Sequence, residues 1–431
     1  MKSFQVLMCG KTFDSLLGPL IFLLPALMAL LAGAASGVFI LLFFAAVYTL
    51  SRSGNLGWQR LSALDQATML SLLVFILIVL LGYMNAADTQ QYWSRFERAV
   101  RSFGCVVVYL YLIRDDHRLI PLLEKGVLVG SISVFIAATE QVGALGRAEG
   151  AYNSILFGDF SAYLACAAAA AAYTNRGQPI YVAAFLTAVL LSGYASILSG
   201  TRGSWIGLYL GLTFVLLVSV FSQRRRFGMV GTTALAISSL ALFTWVAGLH
   251  PVISSRMSDA SQSFLQFFSG GDPNTSVGYR LQMWGAAYDM WIANPLLGSG
   301  LGDYSRDLAE MIRLGQSSMN AHFGEAHSLY FEFLGTTGLL GFITLMAGMF
   351  VLPLLTFLGV GRATGLARLL DSPASLHGVC LVIAFSSFGI SQNWLGRSSI
   401  SSVFFLCLAL FLAAVARERS KDGIPEKGRG P

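Results

Sequence analysis

Twelve apolar runs divide this chain, each about 20 residues long, the length that carries an α-helix across about 30 Å of hydrocarbon. Their approximate limits are 16–33, 34–50, 66–85, 97–113, 119–139, 153–173, 179–199, 204–221, 228–248, 338–360, 374–391 and 399–416. Inside lipid a backbone must satisfy its own N–H and C=O groups, so such runs fold as helices. The first two form one continuous run, divided near Gly33-Ala34-Ala35-Ser36-Gly37. The chain is only 12% charged, where a soluble domain carries about 25%. The expected fold is therefore an all-α polytopic membrane protein with about 12 transmembrane helices. The first run lacks a small-residue cleavage site behind a short core and leads straight into the second, so it reads as a membrane helix rather than a leader. Cys9, Cys105, Cys166, Cys380 and Cys407 are scattered, and none lies in the long polar segment. They suggest neither a disulfide framework nor a metal site.

Basic residues set the orientation. With the N-terminus in the cytoplasm, most of the 28 lysines and arginines fall inside, including every lysine. The outward segments then hold only arginines: Arg95, Arg98, Arg101, Arg147, Arg202, Arg256, Arg280, Arg306, Arg313 and Arg397. This divides the chain into membrane helices over 1–248, an outward polar loop over 249–326, further membrane helices over 327–416 and a basic cytoplasmic tail over 417–431. Arginine presents a planar fork that grips phosphate oxygens in pairs, where lysine acts as a point charge. Ion pairing with outward acids such as Asp259, Asp272 and Asp303 accounts for most of Arg256, Arg306 and Arg313. It accounts less well for the arginines at membrane depth.

Several segments have the composition of a binding or reacting site. In Ser199-Gly200-Thr201-Arg202-Gly203 small residues let a ligand approach the backbone, and Arg202 joins the positive end of the helix that follows. The same residues also fit a tight turn with a snorkelling arginine. From Arg280, apolar residues recur at Leu281, Trp284, Tyr288 and Trp291, the pattern of an amphipathic helix lying on the outer bilayer surface. The glycine-rich stretch Asn294 to Asp303 fails the dinucleotide-loop spacing, because Asp303 stands where the last glycine is required; a turn suffices. His327 sits beside a helix N-terminus and near arginines, both of which disfavour imidazolium. It is expected to be neutral at pH 7 and able to accept a proton, though a loop histidine is often merely structural. Tyr330 shares its helical face, and Glu332 is expected to pair within the bundle. Arg147 can pair with Glu149. Asp159, inside a span where a bare carboxylate is costly, is expected to have an arginine partner. Arg95 and Arg98 alternate with aromatics at the outer interface, which suits lipid phosphate or plain anchoring.

Taken together and in this order, three stretches resemble the O-antigen ligase and polymerase superfamily of bacterial envelopes. They are Ser199 to Gly203, Gly278-Tyr279-Arg280 with Trp284 and Asn294 to Gly302, and His327-Ser328-Leu329-Tyr330 with Gly335 to Gly341. The resemblance implies a GT-C-like glycosyltransferase of the bacterial inner membrane, with its large loop in the periplasm. The O-antigen ligases in that superfamily move a polysaccharide from undecaprenyl diphosphate to lipid A–core oligosaccharide. By carry-over His327 is the essential histidine and Arg202 and Arg280 hold the diphosphate, with Arg147, Arg95 and Arg98 added by topology. The donor is already activated, so no cofactor, metal or nucleotide sugar is expected, nor any nucleic-acid partner, and one attack inverts the anomeric centre. The same motifs serve O-antigen polymerases and protein O-oligosaccharyltransferases. A transporter is the rival of another class, although no repeat relates the two halves.

Overall fold

The computed structural model describes residues 2–53, 58, 61–114, 119–222, 251–360 and 372–422, with isolated positions between 228 and 248. Every regular element among the described residues is helical. The chain runs through α1 (Lys2–Leu30), α2 (Ala34–Ser53), α3 (Ala63–Gly82), α4 (Thr89–Ala99), α5 (Arg101–Leu112), α6 (Leu119–Leu145), α7 (Ser154–Thr174), α8 (Pro179–Leu198) and α9 (Arg202–Ser222). It continues through α10 (Pro251–Phe268), α11 (Ser276–Ala293), α12 (Tyr304–Arg313), α13 (Leu329–Met346), α14 (Leu352–Phe357), α15 (Pro373–Ser391) and α16 (Ser398–Asp422).

Nine helices among the described residues are long and apolar enough to cross a membrane, and Leu16–Leu30 within α1 adds a shorter apolar stretch. The expected span at 228–248 lies outside the described residues. The expected span at 97–113 is instead the end of α4 followed by the 12-residue α5. At 1.5 Å per residue α5 covers only about 18 Å. The span expected at 338–360, with residues 327–337 as its helical preface, is a single run from Leu329 to Phe357.

Bilayer packing explains which helices are central. α7, α15 and α16 are buried along most of their length, whereas α2, α3 and α8 expose Phe44, Leu77 and Leu190 on their outer faces. Without water to drive them together, membrane helices pack tightly where small residues let backbones approach. Gly126 and Gly130 of α6 do this, since a Cβ on either would strike Phe22 or Pro25 of α1. The bundle has two polar ends. At one, Arg419 Nη1 pairs with Asp65 Oδ2 at 2.7 Å and His377 Nε2 meets Glu124 Oε1 at 3.0 Å. At the other end lie the helices between α9 and α13.

Those helices have a core of their own, formed by Met283, Ala286, Ala287 and Met290 of α11 with Tyr304, Leu308, Met319 and Ala326. This buried stripe lies beside the apolar face Leu281–Trp284–Tyr288–Trp291 expected to rest on the outer bilayer surface, and Tyr288 on that face is exposed. A Cβ on Gly335 of α13 would strike the backbone of Ala287, so the two helices approach closely there. Trp284 stacks on Phe331 at 5.1 Å, and Tyr288 with Trp291 forms a separate outer pair at 5.5 Å.

The glycine-rich turn repairs a broken helix. α13 is interrupted at Gly338, with φ 64° and ψ −171°, a region almost confined to glycine. The break frees backbone groups that lipid cannot satisfy. Ser299 and Gly300 donate to the carbonyls of Gly335 and Thr336 at 3.0 and 3.1 Å, and Leu339 and Leu340 donate to those of Pro295 and Leu296 at 2.8 and 3.2 Å. Asp303, fully buried, accepts from the backbone N–H groups of Ala87 and Asp88, each at 2.8 Å, and anchors the turn to the α3–α4 connection. Replacing Gly338 by alanine is expected to cost at least about 1–3 kcal/mol in backbone strain, besides a clash with Leu296 and Gly298. Thermal unfolding in detergent measures this, and an unchanged melting temperature would contradict the repaired break.

Candidate active site

His327 is the one non-glycine residue with positive φ, 48°, among the described residues. It lies just before Ser328, the N-cap of α13, and its backbone is held on both sides. The buried carboxylate of Glu332 accepts the Ala326 N–H at 2.7 Å. The Ser328 hydroxyl donates to the Gly389 carbonyl of α15 at 3.2 Å. Such strain persists only where the surroundings enforce it, and it concentrates at functional sites. Tyr330 shares the helical face but donates its hydroxyl to the Ser386 carbonyl at 2.6 Å, which fixes α13 to α15.

The imidazole remains 28% exposed, with Nδ1 3.9 Å from Glu325 Oε1. Phe323 meets it edge to face at 6.1 Å. The side chain of buried Gln392, whose oxygen has no aligned hydrogen-bond donor, lies close enough to favour the charged ring. Burial pushes the His327 pKa below its ordinary 6.5; Glu325 opposes the shift, and Arg280 and Arg397 add to it. The direction is the one expected from the sequence, but burial outweighs the arginines as its cause.

Arg202 and Arg280 approach each other closely enough for their charges to interact, and Arg280 acts in turn on His327. Burial and Arg202 together lower the Arg280 pKa below its ordinary value, yet a guanidinium remains charged at any physiological pH. The path from Arg202 to the histidine is short because Gly203 of α9 abuts Ser391 at the end of α15, one residue before Gln392. Arg147 joins from the turn after α6, where its Nε donates to the Ser199 carbonyl at 2.9 Å. It forms no ion pair with Glu149. Arg256, on α10, approaches Arg147 and Arg202. Among the described residues none of these four arginines has a carboxylate within 4.0 Å.

Arg95 and Arg98 stand in a different group. Arg95 pairs with Glu325 at 3.4 Å and donates to the Gly324 carbonyl at 2.9 Å. Arg98 donates to the Gly396 carbonyl at 2.7 Å. Arg397 completes the group with a 2.6 Å ion pair to Glu325, which is 5% exposed. Two guanidiniums thus clamp the carboxylate that faces His327, and Glu332, 3.9 Å from Arg95, pairs within the bundle as expected.

Two residues here, Glu325 and Arg397, have no role legible in the sequence, and a third, Arg256, has a different one. Glu325 and Arg397 lie far apart along the chain and no spacing relates them. For Arg256, as for Arg306 and Arg313, the sequence suggests ion pairing. The latter two do pair, with Asp307 at 2.8 Å and Glu310 at 2.5 Å, but Arg256 does not. The expected arginine partner of Asp159 is also absent: Ser204 donates to its Oδ1 at 2.8 Å. α7 meets α9 there through small residues, so a hydroxyl fills the space that a guanidinium would need.

Fold and site together define a polytopic helical membrane protein with a cluster of arginines and a strained histidine at one end of its bundle. Residues 187–346 match the family model described as O-antigen ligase. The resemblance to the O-antigen ligase superfamily is borne out across that segment, which contains Arg202, Arg256, Arg280, Glu325 and His327. An uncharacterized protein of Haemophilus influenzae is 25% identical over 227 residues, which are 52% of this chain and 55% of the relative. The chain spans about half the length of that curated relative.

Proposed function

We propose that this protein is an O-antigen ligase of the bacterial inner membrane. It transfers a polysaccharide from undecaprenyl diphosphate to a sugar hydroxyl of lipid A–core oligosaccharide at the periplasmic face. The observation that carries this reading is the pairing of a partly buried, neutral histidine with arginines that have no acid partner among the described residues. Unpaired guanidiniums converge where an anion belongs, and the histidine beside them can take a proton.

In the reaction the acceptor hydroxyl oxygen attacks the anomeric carbon and forms the new glycosidic bond. The bond from that carbon to the diphosphate oxygen breaks, and the carrier leaves as undecaprenyl diphosphate. The hydroxyl proton passes to a ring nitrogen of His327. Arg202 and Arg280 stabilise the charge that grows on the leaving phosphate, an effect that is strongest where water is excluded. Attack opposite to the leaving group inverts the anomeric centre.

Glu325 acts through His327, as a positioning residue. Its charge, held by Arg95 and Arg397, keeps the ring oriented and supports the imidazolium formed on proton transfer. Glu325→Gln is expected to lower kcat by up to about 10²-fold, the scale of a misplaced catalytic group. It is also expected to move the acid limb of the pH–rate profile to lower pH, because the carboxylate that raises the His327 pKa is gone. A lowered kcat with an unmoved acid limb would leave Glu325 a structural role only.

The reading is tested with purified protein, undecaprenyl-diphosphate glycan and lipid A–core acceptor in EDTA. Transfer to lipid A–core under these conditions supports a metal-independent ligase. Longer glycan on the undecaprenyl carrier instead would make it a polymerase. Dependence on added divalent cation would remove the metal-independent step.

A further inference from the structure

Gly200 lies in the turn before α9 with φ 65°. A Cβ at this position would sit 3.4 Å from Arg147 Nε and 3.6 Å from Arg256 Nη2. Two guanidiniums from separate parts of the chain therefore flank a single glycine. Like charges held this close destabilise the protein unless something lies between them. The acids nearest in influence, Glu149 for Arg147 and Asp259 for Arg202, are beyond ion-pair distance. Arg202, at the start of α9, feels Arg256 on one side, while Arg280 feels Arg202 on the other.

The carrier of Arg256 is itself loosely held. α10 packs chiefly against α11, and none of its described side chains is fully buried. Met257, Phe264, Leu265 and Phe268 are exposed on it. Elements with few buried contacts open most readily, so the position of Arg256 responds to whatever occupies the space over Gly200.

We propose that Arg147 and Arg256 form a second phosphate seat over Gly200, so that a lipid diphosphate is held by two arginine pairs, Arg202 with Arg280 and Arg147 with Arg256. This rests on the diphosphate-donor reading above and assigns that donor's two phosphates to separate seats. Glycine suits this position because its φ of 65° strains other residues, and a Cβ there would lie in contact with both guanidiniums. Arg256 becomes a substrate-binding residue although no motif contains it.

The test uses the full-length protein in detergent, with undecaprenyl diphosphate and undecaprenyl monophosphate as probes. Wild type is expected to bind the diphosphate more tightly. Arg256→Ala is expected to weaken diphosphate binding about tenfold or more, the loss of a charge-assisted contact, and to leave monophosphate binding nearly unchanged. Without ligand its melting temperature should not fall, since Arg256 has no acid partner to lose, whereas a structural arginine would lower it. Hydrogen exchange across 251–268 should slow when wild type binds the diphosphate. Diphosphate affinity unchanged in Arg256→Ala but lost in Arg280→Ala would overturn the second seat and leave the donor reading intact. Failure of wild type to bind the diphosphate would overturn both.

Discussion

Replacing His327 by alanine is expected to slow transfer about 10²–10⁴-fold, the usual contribution of a positioned general base, with the protein still folded. The pH dependence makes the expectation specific. Only the neutral ring accepts a proton, and its pKa in the folded protein lies below 6.5. The rate should therefore be level near pH 7 and fall as pH drops through that lowered value. The residual rate of His327→Ala should lack this limb. Transfer assays from pH 5 to 8, beside a melting curve for each variant, separate chemistry from stability. Full activity in a folded His327→Ala protein would remove the base from the mechanism.

Arg280→Ala is expected to reduce kcat by about 10²–10³-fold, the scale seen when one fixed donor to a growing negative charge is lost. Arg280 is well suited to this because it is largely withdrawn from water, and its nearest charged influence is another arginine. The substitution also removes a positive charge that disfavours imidazolium. The His327 pKa should rise, and the acid limb of the remaining activity should move to higher pH, opposite to the shift expected for Glu325→Gln. These opposed shifts follow from Arg280 and Glu325 acting on one imidazole with opposite signs. If the limb stays in place in both variants, His327 is not the group that titrates.

The membrane class was legible because lipid leaves an apolar run of about 20 residues few alternatives to a helix. Where prediction and structure differ, the run was short or local pattern met a packing partner. Residues 97–113 are apolar enough on average, yet polar residues between Gln90 and Arg98 carry α4 beyond the expected boundary and leave α5 only 12 residues. On α11 the apolar pattern at Leu281, Trp284, Tyr288 and Trp291 is legible, but not that Met283, Ala286, Ala287 and Met290 form the face buried against neighbouring helices. Asp159 was expected to need an arginine and has Ser204, because hydrophobic context reveals the need for a partner and not its identity.

The sequence by itself determined the helical membrane class, the superfamily resemblance, and Arg202, Arg280 and His327 as residues to consider together. Those features depend on composition, short-range spacing and the order of motifs, all of which are local properties of the chain. Tertiary structure alone decided that Arg256 joins Arg147 over Gly200, and that Arg95 and Arg397 clamp Glu325 against His327. It alone revealed that Ser299 and Gly300 complete a helix broken at Gly338. Each of these joins residues far apart in the chain through a charge or backbone group that needs a partner. Sequence distance carries no record of such a contact until the helices pack.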